Sequence, residues 1–268
     1  WFDAPNNTKI VNEIEAFIIE KEIKKFSKII FLGIGGATIT AEILLNMLPK
    51  SNDKKYKIID SIDIDELSAI TKEIILEKTL FVVMSKSGST IEVLSQFNFF
   101  WKHFPSGANY IAITEPESKL YEHATKNQFL KIFECPKNIG GRFASLSYLG
   151  IVPALLMDID MDKVMHSTIK AKDAYSISFQ DAPPSSLGKY IANAINEDFN
   201  NIIIIIPNNL LFFAKWIEQM IAESLGKNGI GITPVICCDI NRAINLQTKS
   251  IIINYLEPIY ETFDCPVL

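Results

Sequence analysis

The chain has 268 residues, 48% of them hydrophobic and 21% charged, with 12 each of glycine and proline and a formal net charge of −5. That composition excludes disordered and collagen-like chains. Without a basic run there is no electrostatic footprint for nucleic acid or an anionic membrane, so neither is expected as a partner. Any anion the protein holds has to be held by local chemistry.

An amphipathic helix is expected over residues 9–26. Apolar, strand-like runs then recur at 28–34 (KIIFLGI), 56–60, 79–84 (TLFVVM), 109–114 and 130–134. Helical patterns lie between them near 37–48, 64–75, 89–103 and 117–126. Strands apolar on both faces that alternate with helices predict a parallel sheet covered on both sides. Two more helices are expected near 145–157 and 160–175, followed by the polar, proline-paired stretch SFQDAPPSSLG at 178–188. A domain boundary is placed there, giving units 1–178 and 179–268. Beyond it the pattern restarts with helix 186–197, strand 201–206 (NIIIII, read as a buried central strand), helix 209–225, strand 231–238, a short helix and strand 249–256. The fold class is therefore α/β, with two doubly wound parallel sheets, each in a three-layer αβα arrangement, the second apparently cut short at Leu268.

The four cysteines, Cys135, Cys237, Cys238 and Cys265, show no CxxC spacing and the chain has three histidines, so no metal site is expected and a reducing, cytoplasmic setting is the default. The longest apolar run falls far short of the ~20 residues a bilayer needs. The chain opens on Trp1 with no basic-then-apolar leader, and is expected to be an excerpt of a longer product.

In an open parallel sheet, ligands bind beyond the carboxyl ends of the strands. Three polar segments are expected there. In FLGIGGATIT, Gly33, Gly35 and Gly36 leave backbone N–H groups unobstructed, although the pattern is GxGG and lacks the spacing and acidic residue of a dinucleotide site. In SKSGST, residues 85–90, Ser85, Ser87, Ser89 and Thr90 place four hydroxyls at the start of a helix, the donor set a phosphate dianion asks for. A capped helix explains one or two such hydroxyls, and four in six residues poorly. In NIGGRFASLS, residues 138–147, Gly140 and Gly141 turn the chain at Arg142, which reads equally as a cleft guanidinium or as a surface arginine. In the second unit, Gln219 and Glu223 stand four apart on one face of an amphipathic helix ended by Gly226, where an exposed glutamate is the common state.

GIGG at 33–36, SKSGSTIE at 85–92, ITEPESKL at 113–120, GGRFASLSYLGIVPALL at 140–156 and ESLGK at 223–227, in this order, resemble the phosphoglucose isomerase family of the sugar isomerase (SIS) superfamily. The resemblance covers roughly residues 28–240. It implies two SIS-type subdomains and interconversion of glucose 6-phosphate and fructose 6-phosphate without metal or organic cofactor. It also implies a cytoplasmic homodimer with a hexose phosphate as its small-molecule partner. Carried over residue by residue, Ser85, Ser87, Thr90 and the Lys86 backbone hold the phosphate, and Gly35, Gly36 and Gly141 line the pocket. Arg142 stabilises the enediolate, Glu223 shuttles the proton and Gln219 contacts substrate. Partial burial of Glu223 would suit that task by raising its pKa.

Two departures from the family pattern stand out. Ala37 follows GIGG where the family usually has serine, and Thr38 next to it offers a substitute hydroxyl. The family's downstream ring-opening histidine and C-terminal lysine have no counterpart, since His103, His123 and His166 stand in other motifs. Two functional readings stay open: an isomerase, and a phosphosugar-binding regulator or pseudoenzyme. A third, a nucleotide-binding oxidoreductase, rests on the glycine loop alone.

Overall fold

A computed structural model of the chain describes residues 2–47, 55–176, 182–238 and 250–254. The chain divides into two compact units, Trp1–Thr168 and Ile169–Leu268. The expected boundary at 178/179, like the expected short helix after Cys238 and Cys265, lies outside the described residues.

In the first unit the order is α1 (Thr8–Glu20), β1 (Lys28–Gly33), α2 (Ile39–Met47), β2 (Lys55–Ile59), α3 (Ile64–Thr71), β3 (Thr79–Met84), α4 (Ile91–His103), β4 (Tyr110–Thr114), α5 (Lys119–Lys126), β5 (Lys131–Glu134), α6 (Tyr148–Leu156) and α7 (Met161–Ser176), which runs past the unit boundary. The five strands form one parallel sheet in the order β2-β1-β3-β4-β5. The period of two along a strand sends alternate side chains to opposite faces. Thus Leu80, Val82 and Met84 of β3 join a core built with α1, α2 and α6, while Phe81 and Val83 join a second core built with α3, α4 and α5. For β1, β3 and β4 both faces are apolar because both are covered, whereas the edge strand β2 alternates, with Lys55 and Lys57 exposed. Chain direction across the sheet reverses between β1 and β3, so the carboxyl ends of these two neighbours form the topological switch point where such folds take ligands.

The expected helix over 9–26 is shorter in the structure. It ends at Glu20, Glu22 adopts a left-handed backbone (φ 49°), and a 3₁₀ turn, Ile23–Lys25, follows. The break lets Ile23 and Phe26 drop into the same core as Val11, Ile14, Phe17 and Ile18. Likewise the helix expected from 145 begins later: Gly141–Leu146 is a 3₁₀ turn, and Ser147 caps α6 by accepting from the Leu149 N–H at 3.3 Å.

The second unit contains α8 (Pro183–Asn196), β6 (Asn201–Ile205), α9 (Leu211–Ser224), β7 (Thr233–Cys237) and β8 (Ser250–Asn254). The paired prolines begin α8, where a missing N–H costs nothing. The parallel order is β7-β6-β8, with the isoleucine-rich β6 central as its composition demands and Pro234 confined to the edge strand β7.

An aromatic cluster rigidifies the α4 side of the first sheet. The Phe81 ring stacks on Tyr110 at 4.6 Å between centroids and meets Phe100 at 5.5 Å and Phe104 at 6.0 Å. Phe81→Ala should lower stability by about 3–5 kcal/mol, and Phe81→Leu by well under that. Urea unfolding of the two variants beside wild type checks the order.

Candidate active site

The loop after β1 is shaped by close approach. A Cβ on Gly33 would lie 2.6 Å from Thr38 Cγ2 and 3.0 Å from the Met84 carbonyl, and Gly35 takes φ 61°. Thr38 is fully buried, and both its N–H and its hydroxyl donate to the Gly35 carbonyl (3.0 and 3.3 Å). Its hydroxyl also lies 3.4 Å from Glu42 Oε1. The expectation that Thr38 supplies the hydroxyl missing at Ala37 therefore fails, because that hydroxyl closes the loop from inside.

The loop after β3 divides its hydroxyls into two groups. Ser85 is 2% exposed, accepts from the Gly88 N–H at 3.1 Å and donates to Thr90 Oγ1 at 3.2 Å. It shapes the loop. Ser87 and Ser89 are exposed, and Ser87 Oγ accepts from the Ser89 hydroxyl at 3.2 Å. Thr90 is the N-cap of α4 and its side chain makes no cap bond, so no hydroxyl competes for the first N–H groups of this 13-residue helix. Uncapped amides at the positive end of a helix, with two outward serines beside them, suit an oxyanion.

Gly88, at φ 62°, allows this loop to be clamped from below. A Cβ there would sit 2.1 Å from Ser118 Oγ and 2.5 Å from Thr114 Oγ1, which share a hydrogen bond of 2.9 Å. The Gly88 carbonyl accepts from the Leu120 N–H, and the Lys86 carbonyl from the Glu115 N–H. The Lys86 ammonium pairs with Glu115 and donates to the Lys137 carbonyl at 3.0 Å. Lys86 thus ties the β3 loop to the loops after β4 and β5. Glu115 is a member of the site that the motifs did not single out. Beneath it, burial pushes the Cys135 thiol up to about 12, with nearby Lys86 pulling the other way, so this cysteine is a neutral packing group at pH 7.

β5 lies at one edge of the sheet, yet the chain leaving it returns to the middle. It passes Lys86 at Lys137 and reaches the β1 loop at Arg142, whose backbone N would lie 3.1 Å from a Cβ on Gly36. A hydrogen bond of 2.9 Å between Thr40 and Ser145 fixes the same crossing. Arg142 is half-buried, its guanidinium carbon 5.4 Å from the centre of the Phe143 ring. Gly35, Gly36, Ser85, Lys86, Ser87, Thr90, Gly141 and Arg142 are therefore gathered at the carboxyl edge of one sheet, at its switch point.

Gln219 and Glu223 belong to the second unit. Gln219 Nε2 donates to Glu223 Oε1 at 2.8 Å. Glu223 is exposed, the common state for a glutamate, and lacks the partial burial that would suit a base. Ile217 and Ile221 turn α9 toward its sheet, and Glu223 stands about 200° round the helix from Ile221. A carboxylate in a last helical turn faces the negative end of the dipole, a placement that helix stability alone does not favour.

The family model described as phosphoglucose isomerase matches residues 10–251. The chain belongs to the phosphoglucose isomerase family. Among its relatives, the glucose-6-phosphate isomerase of Campylobacter jejuni is 32% identical over 238 residues, covering 84% of this chain and 57% of that protein. The probable glucose-6-phosphate isomerase of Methanococcus maripaludis is 31% identical over 227 residues, 80% of this chain and 51% of that one. The chain spans about half the length of the curated relatives it matches. A hypothetical protein of Thermus thermophilus shares the fold with TM-score 0.82 at 21% identity, over 95% of this chain and 65% of that one. A glucose-6-phosphate isomerase of Chlamydia trachomatis does so with TM-score 0.71 at 21% identity, over 92% and 53%. The phosphoglucose isomerase family accordingly comes with the expected α/β fold of parallel sheets flanked by helices.

Lys86→Met would leave Glu115 and the Lys137 carbonyl without their cation. Amide hydrogen exchange at residues 138–142 should then accelerate about tenfold, the effect of losing ~1.4 kcal/mol of local stability, with β2 unchanged. Unchanged exchange at 138–142 would show that Lys86 does not hold the crossing segment.

Proposed function

We propose that the protein is an aldose-ketose isomerase that interconverts glucose 6-phosphate and fructose 6-phosphate through an enediolate. The observation that carries the reading is the meeting, at one switch point, of an uncapped helix N-terminus with its serines and the Gly36–Arg142 backbone contact. Membership of the family supplies the substrate class.

In this reading Ser87, Thr90, the Lys86 backbone N–H and the first amides of α4 hold the phosphate. Ser85 shapes the cradle from within, and Gly35, Gly36 and Gly141 keep the pocket wall free of side chains. Glu223 takes the proton from C2 of the open-chain aldose as the C1 carbonyl becomes the enediolate oxygen. It then returns the proton to C1 while C2 becomes the ketone, the hydroxyl proton passing from O2 to O1. One carboxylate serves both carbons because they are adjacent. Arg142 stabilises the oxyanion with a charge that cannot be lost at working pH and a rigid donor fork. Gln219 orients the Glu223 carboxylate through its 2.8 Å hydrogen bond, and substrate contact by Gln219 belongs to the proposal on family membership alone. Pairing of two chains belongs to the same proposal and rests on family membership alone.

A second reading, a phosphosugar binder without turnover, shares the cradle and omits the proton transfer. A coupled isomerase assay beside a calorimetric titration with fructose 6-phosphate separates the readings: binding with turnover supports the isomerase, binding without it the regulator.

Glu223→Gln should lower kcat by about 10³-fold, within the range for loss of a general base, while changing fructose 6-phosphate affinity little. Arg142→Met should lower kcat by about 10²–10³-fold through loss of oxyanion stabilisation. Full activity in Glu223→Gln would sink the role given to that residue.

A further inference from the structure

We propose that the amino edge of the first sheet, opposite the candidate active site, carries a second anion site that takes a small molecule bearing two or more phosphate groups. A cavity of about 560 Å³ opens there, lined among the described residues by Ser27, Lys28, Lys55, Glu73, Lys78 and Thr79, with Ile75 as an apolar wall. That volume lies within the ~300–1,000 Å³ of small-molecule sites.

The ladder itself concentrates the charge. In the parallel register Lys28 is the partner of both Lys55 on β2 and Thr79 on β3. In-register residues of neighbouring strands stand about 4.8 Å apart and point to the same face. Here that is the face of Ile30, Ile59 and Phe81, two positions on from Lys28 and Thr79 and four on from Lys55. Lys78 adds a third ammonium from the residue before β3. Three cations thus ring the cavity against one carboxylate, Glu73. Glu77, the nearest acid in sequence to Lys78, does not line it.

Among the described residues the cations at this edge are poorly compensated. The Lys28 side chain is only 15% exposed, and among the described residues it has two acceptors, Glu73 Oε2 at 3.1 Å and the Glu73 carbonyl at 3.4 Å, for three N–H groups. Lys55 and Lys78 make no ion pair among the described residues, whereas Lys57, one rung along the same face, has Glu66 at 3.9 Å. The Ser27 hydroxyl likewise donates to no described group, although the Ser27 backbone is bonded on both sides. In a chain of net charge −5, grouping Lys55 and Lys78 around the partly desolvated Lys28 ammonium is unfavourable on its own. A bound polyanion removes that cost, with charge-assisted bonds from the lysines and one from the Ser27 hydroxyl.

Titration of the ¹⁵N-labelled full chain with inorganic pyrophosphate at low ionic strength tests the site. Saturating shifts of the Ser27, Lys28, Lys78 and Thr79 amides are expected, weakened about tenfold or more in Lys55→Ala/Lys78→Ala and retained in Lys55→Arg/Lys78→Arg. The same spectra show that each variant is folded. Ser87→Ala/Thr90→Ala should leave these shifts intact, which separates this site from the cradle at the other edge. Shifts confined to residues 85–91, a drift that never saturates, or unchanged affinity in the double alanine variant would each overturn the proposal.

Discussion

The site depends on one close approach, the backbone of Gly141 and Arg142 lying against Gly36. A Cβ at position 36 would meet Arg142 N at 3.1 Å, the Gly141 carbonyl carbon at 3.3 Å and Arg142 Cα at 3.4 Å, so any side chain there forces the crossing segment outward. Everything that brings Arg142 from the sheet edge to the sheet centre converges on this contact. The Lys86 ammonium holds the segment halfway at Lys137, and the Thr40–Ser145 hydrogen bond holds it beyond. Three loops far apart in sequence are thereby made one surface, fixed by backbone packing at Gly36 and by the Lys86 side chain at Lys137.

That surface can be rigid because its supports are. Strands buried on both faces give the loops fixed starting points, and the positive φ of Gly35 and Gly88 gives them shapes few other residues would tolerate cheaply. Gln96, fully buried on α4, donates to the carbonyls of Ile59 and Ser61 and so fastens the helix that carries the cradle to the end of β2. Placing the proposed phosphate donors on a helix so fastened means that they would need little reorganisation when charge arrives, the condition under which fixed dipoles are most effective.

How much of this was legible in the sequence follows from the range of the interactions involved. Doubly covered strands announce themselves by unbroken apolar runs, so both sheets and the centrality of β6 could be read directly. The hydroxyl-rich turn at 85–90 was likewise local enough to read, together with its helix. What was hidden is decided by contacts between distant residues. The break at Glu22 has neither glycine nor proline to mark it and follows from where Ile23 and Phe26 must be buried. The inward turn of Thr38, the separate duty of Ser85 within its loop and the Lys86–Glu115 pair all depend on neighbours that no spacing rule supplies. The exposure of Glu223 agrees with the amphipathic pattern of α9, whose Ile217 and Ile221 face the sheet.

A chain with net charge −5 cannot attract phosphates by its overall field, so any phosphate it binds has to be recognised by local means, and the two edges of one sheet offer different ones. At the carboxyl edge, helix amides and hydroxyls present neutral donors whose directions are fixed, which favours shape discrimination and tolerates salt. At the amino edge, strand starts place lysines side by side, which favours charge over shape and is strongly screened by salt. The parallel topology produces this division, since every strand begins at one edge and feeds a helix N-terminus at the other. On the isomerase proposal, a reacting hexose phosphate needs its carbons held in place and would therefore belong with the fixed dipoles, where the Arg142 backbone packs against Gly36.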